Sequence, residues 1–171
     1  MKLILTVAHE TFVGLVRSAN IILWSIAGFF VIFFAHIASN WAIVESTRIV
    51  FDIGGFGLHV IGGGASIVWV FKTIATARKD GWVESRLVTP LPRSHWIFGV
   101  YCGVSLALFC LWMLLLIFWQ FMMLVYDLGW LGNLWTILFL ELLGCMVIAA
   151  LATLLASATD LWVGLFSTVV W

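Results

Sequence analysis

Charge is scarce in this chain. Only 9% of its 171 residues are Asp, Glu, Lys or Arg, while 64% are hydrophobic and the mean hydropathy is +1.19. A soluble domain is about 25% charged. So few polar groups cannot coat a water-facing surface, and lipid is the solvent this composition fits. The charges balance to zero, which excludes a general polyanion binder, and no nucleic-acid footprint is present. Cysteine is sparse too. Cys102, Cys110 and Cys145 all lie inside apolar runs, the setting of small core residues rather than of disulfides or metal ligands. Several chemical motifs are missing. There is no G-x-x-x-x-G-K-[ST], so ATP hydrolysis does not belong to this chain. There is no H-E-x-x-H and no Ser/His/Asp arrangement for intramembrane catalysis. No cleavable signal peptide is expected, because His9, Glu10, Arg17 and Asn20 interrupt any apolar leader.

Long apolar runs are what the chain has instead. A bilayer core of roughly 30 Å takes about 20 helical residues. Four segments qualify, at 21–44, 53–71, 96–125 and 134–157. The first holds only His36 and Asn40 as strongly polar residues, and the last only Glu141. After Asp160 the tail at 161–171 is apolar but too short to cross, and reads as the stub of a further span. The expected fold is an all-α polytopic transmembrane helix bundle in a single domain.

Orientation follows from the basic residues. One side collects Lys2, Arg17, Lys72, Arg78, Lys79, Arg86 and Arg93, and the other keeps Arg48. The N-terminus and the segment between the second and third spans are therefore expected in the cytoplasm, in an inner (plasma) membrane. Trp41, Trp130 and Trp135 fall at the outer boundary, and Trp82, Trp96 and Trp162 at the inner one, where amphipathic rings prefer to sit.

Residues 1–20 read as an interfacial helix. Lys2, Thr6, His9, Glu10 and Arg17 share one sector, while Leu5, Ala8, Phe12, Leu15 and Val16 gather opposite, with Val13 the exception. Such a helix lies flat with its apolar side in the acyl boundary. The competing reading is the start of a longer first span. The second span carries GGFGLHVIGGGA. It lacks the Lys-Ser/Thr of a phosphate loop. Gly54, Gly57, Gly62 and Ala65 instead allow another helix to come close. Whether that helix belongs to this chain or to another copy stays open.

One polar island interrupts the grease. Residues 72–93 hold seven of the sixteen charged residues, Lys72, Arg78, Lys79, Asp80, Glu84, Arg86 and Arg93, and the island contains both prolines. KTIATARKDG reads as the end of a helix leaving the membrane, closed by Gly81. WVESRLVTP reads as a short helix ended by Pro90, and LPRSHW as the lead into the third span with Ser94 as its cap. Two uses fit this shape: docking to a protein, or anchoring on anionic headgroups.

GWVESRLVTPLPRSHWIFGVYCG resembles a segment of permeases of the ABC type-2 exporter family, in particular those grouped with multicopper-enzyme maturation. The match rests on Gly81 and Glu84, then Thr89, Pro90 and Arg93, then Gly99. Trp82 and Val100 depart from the Thr and Lys usual there. The resemblance implies that residues 76–95 are a cytoplasmic coupling segment seated on a separate ABC ATPase subunit. Gly81, Glu84, Arg86, Pro90 and Arg93 are then the contacting positions. It implies a second permease copy or related permease, with ATP and magnesium held by the ATPase and no cofactor on this chain. The family has six spans, so it also implies that the 171 residues are a fragment or a shortened relative.

Polar groups at membrane depth remain. A charged Glu141 costs roughly 2.5–3.5 kcal/mol at a helix centre, so it must be protonated, paired or facing a wet cavity. Gln120 and Glu141 flank the outer turn near Trp130 at similar distance, which makes Gln120 a candidate partner. With His36 and His59 they form a polar belt that lines an export path or a dimer seam, or makes structural hydrogen bonds. Two histidines and a carboxylate without tight spacing are weak as a metal site. Two other functions stay open: an intramembrane enzyme acting on lipids, and a membrane scaffold without transport.

Overall fold

The computed structural model of the protein describes residues 2–41, 46–79, 93–126 and 132–158. These form five α-helices: α1 (Lys2–Arg17), α2 (Ala19–Ser39), α3 (Ser46–Lys79), α4 (Arg93–Val125) and α5 (Gly132–Ala158). The architecture is all-α, and α2 to α5 are each long and apolar enough to cross a membrane. Helices are what such a sequence must form in lipid, because each backbone group then finds its partner within its own segment. Buried hydroxyls follow the same rule. Ser25, Ser66 and Thr153 each donate back to a carbonyl one turn earlier, at 2.6–2.7 Å.

Cross-contacts give the directions. Phe29 packs on Phe118 and His36 on Tyr126, so α2 and α4 run the same way. His59 meets Glu141, and Arg78 reaches the Ala156 carbonyl, so α3 and α5 run together in the opposite sense. The four helices close a ring in the order α2, α3, α5, α4. Its interior is filled by fully buried Ile32, Leu58, Trp69, Leu108, Leu115 and Trp119, among others. One end of the bundle is basic, with Arg17, Lys72, Arg78 and Lys79. The other is called the far end below.

Three expectations change. The second span, expected at 53–71, lies within a helix running from Ser46 to Lys79. At 1.5 Å per residue α3 is about 51 Å long and overshoots a ~30 Å apolar core. Charge stops a hydropathy window but not a helix. Arg48 and Asp52 pair at i, i+4, and Arg78 and Lys79 suit a helix C-terminus. The helix of the first span ends at Ser39, where Asn40 and Trp41 bond back three residues and tighten the last turn; the expected end at 44 lies outside the described residues. Ser94 lies inside the first turn of α4 and is not its cap. Cys110 is exposed, whereas Cys145 is buried; all three cysteines are free thiols.

α1 is a separate helix, not the start of α2, because Ser18 between them is extended (φ −76°, ψ 144°). Its buried stripe differs from the expected one. Leu5 and Val16 are 61% and 41% exposed, while Val7 and Leu15 are buried. The reason lies on α4. Gly99 and Gly103 leave a notch there, which Ile4, Val7, Ala8 and Thr11 enter. Side-chain polarity within residues 1–20 does not reveal a notch on a distant helix.

Candidate functional site

The glycines of α3 decide which side chains meet. Gly54 faces the ring of Trp119, Gly57 faces Val31, and Gly62 faces Cys145 and Trp112. The close packing expected from Gly54, Gly57, Gly62 and Ala65 is therefore made within this chain, to α2, α4 and α5. A Cβ at Gly62 would lie 2.6 Å from the Cys145 sulfur and 3.0 Å from the Trp112 ring. Gly62→Ala is expected to cost about 1–3 kcal/mol through overpacking. Gly14→Ala on α1, where a Cβ meets nothing within 4 Å, is expected to gain up to about 1 kcal/mol of helix propensity. Unfolding midpoints in mixed micelles check both.

With α3 and α5 drawn together at Gly62 and Cys145, the residues one turn nearer the far end also meet. There the His59 Nδ1–H donates to Glu141 Oε2 at 2.5 Å. His59 lies seven residues beyond Asp52 and Glu141 six beyond Trp135, so both sit about 10 Å in from the far boundary. Of the states expected for Glu141, the structure has the paired one, and its partner is His59, not Gln120. Equal depth in a hairpin leaves open which way each side chain turns about its helix. Glu141 turns toward α3.

Gln120 is buried on α4, and neither its Oε1 nor its Nε2 has a hydrogen-bond partner among the described residues. His36 is fully buried between α2 and α4. Its Nδ1–H donates to the Ile32 carbonyl at 2.8 Å, and its ring packs on Tyr126 at 5.1 Å. The expected belt of four thus divides into one pair and two separate residues. An apolar groove of about 360 Å3 opens between α4 and α5, lined by Phe109, Trp112, Met113, Leu116 and Trp135 among others. None of the four polar residues lines it. Among the described residues no group of three or more His, Cys, Asp or Glu is placed to hold a metal ion.

Of the expected ATPase contacts, Gly81, Glu84, Arg86 and Pro90 lie outside the described residues, as does the stub at 161–171. Arg93 opens α4. Gly99 has a packing role that the motif did not announce, since it receives α1. The notch at Gly99 and Gly103 is visible in the sequence only as two small residues at i, i+4. No family model, no curated protein and no solved structure matches the chain.

Proposed function

We propose that this chain is the membrane-spanning permease subunit of an ABC exporter, working with a separate ATPase subunit in an inner membrane. The observation that carries the reading is the run Gly81, Glu84, Thr89, Pro90, Arg93 and Gly99. Its first four residues fall between the two longest helices of the bundle, α3 and α4, and its last two, Arg93 and Gly99, lie in the first turns of α4. Both overshoot an apolar core, which favours a connection held outside lipid. The basic end faces the cytoplasm on this reading, in keeping with the positive-inside rule.

The helix ends suit a lever. Arg78 near the end of α3 donates to the Ala156 carbonyl of α5 at 3.2 Å, and α1 braces the first turns of α4. A push on residues 80–92 would reach α3 with α5 on one side, and α4 with α1 on the other. Rigid-body shifts of such pairs are a known route to alternating access. The permease itself makes and breaks no bonds.

The test is capture of the ATPase. Tagged chain is purified in mild detergent from its own cells, wild type beside Glu84→Ala with Arg93→Ala. Wild type is expected to bring down an ABC ATPase, and the double variant at least about tenfold less, since truncating a buried charged contact costs roughly 2–5 kcal/mol. Equal capture by both removes the docking assignment.

A further inference from the structure

The His59–Glu141 pair sits at membrane depth, yet it is not enclosed. The side chains are 49% and 28% exposed on the outer surface of the α3/α5 seam. Exposed Phe56 and Leu140 lie beside the pair on their helices. A hydrogen-bonded histidine and carboxylate facing lipid leave the second ring nitrogen and the second carboxylate oxygen without a solvent. The surface around them is built for close approach. Gly55 lies one turn before His59, and Gly144 one turn after Glu141; a Cβ added at either would meet nothing within 4 Å. Small residues flanking a polar group are the composition of helix interfaces in membranes.

We propose that this face is where a second copy of the chain docks. Charge complementarity identifies the occupant. Two groups bonded to each other across parallel helices lie at one depth, so the pair is a dipole lying in the membrane plane. A twofold axis along the membrane normal turns the facing dipole around. His59 of one copy then stands opposite Glu141 of the other, and the four groups close a ring. An isologous contact has this property by symmetry. The inference rests on the permease reading for the number of halves, and on the seam itself for the face.

Cross-linking in native membranes tests it. Cys102→Ser, Cys110→Ser and Cys145→Ala remove the native thiols. Gly55→Cys or Gly144→Cys is then expected to give a disulfide-linked dimer on oxidation. Phe121→Cys, exposed on α4 toward the far end, is expected to give none. Linking through Phe121→Cys alone, or through none of the three, overturns the proposal. Adding Glu141→Gln to Gly144→Cys should lower the linked fraction about tenfold, the worth of a strong interhelical hydrogen bond. The exchange His59→Glu with Glu141→His keeps both the pair and the twofold ring, and should restore linking. An unchanged yield with Glu141→Gln overturns the ring. Linking without ATPase capture supports the dimer and removes the exporter reading; capture without linking removes the dimer and leaves the exporter.

Discussion

Replacing His59 by leucine while Glu141 remains is expected to destabilise the helical body by about 2–3 kcal/mol. Glu141 then keeps its carboxyl in the apolar slab with no donor beside it, and a charged carboxylate there costs roughly 2.5–3.5 kcal/mol at the helix centre. The site lies about 10 Å in from the far boundary, which sets the expected value toward the lower part of that range. Glu141→Leu should cost less, about 1 kcal/mol, because it leaves a ring N–H without its acceptor rather than a carboxylate without its donor. The double variant, leucine at both positions, should return close to wild type, since exchanging a whole low-dielectric pair for apolar side chains is often neutral. The coupling read from the cycle is then about 3–4 kcal/mol, most of it the cost of stranding one partner rather than the net worth of the pair. Equilibrium unfolding in dilute mixed micelles measures it. Additive single variants would mean that the 2.5 Å contact contributes nothing to holding α3 against α5.

That pair also shows how far the sequence could be read. The depth of Glu141 followed from residue counts, and so did its need to be protonated, paired or facing a wet cavity. The partner did not, because depth fixes position along a helix and leaves the azimuth free. Azimuth is set here by Gly62 against Cys145 and Trp112, contacts between residues fifty or more positions apart. The glycines of α3 announced close packing, and the chain supplies it to itself. Nothing in GGFGLHVIGGGA separates an internal neighbour from a second copy. Four membrane-length helices were legible from composition alone. Their ends were not, because Arg48, Asp52, Lys72 and Arg78 are charged residues inside a helix, and hydropathy reports where lipid stops, not where hydrogen bonding stops.

Gly103→Leu is expected to lift α1 off the bundle. A Cβ at Gly103 would stand 2.7 Å from the Ala8 carbonyl oxygen and 2.6 Å from the Thr11 Cβ. A backbone oxygen cannot swing aside as a flexible side chain does, so the helix must move as a unit. The cost is about 3 kcal/mol, at the upper end of ordinary overpacking. It falls on α1 alone, since α2 to α5 close their ring without it. Amide exchange in residues 2–17 should therefore accelerate by about a hundredfold or more, while α3 and α5 keep their protection. Gly14→Leu, on the open side of α1, should leave exchange unchanged, and equal exchange in the two variants would remove the notch as the cause. The same variant bears on mechanism. Gly99 is claimed both by the exporter resemblance and by the packing of Val7 at 2.7 Å from its would-be Cβ, and α4 begins only six residues earlier, at Arg93. If α1 braces the first turns of α4 against a push from the ATPase, Gly103→Leu should still capture the ATPase, because residues 80–92 are untouched. ATP hydrolysis should then run without export, as a lever with a loose mount would.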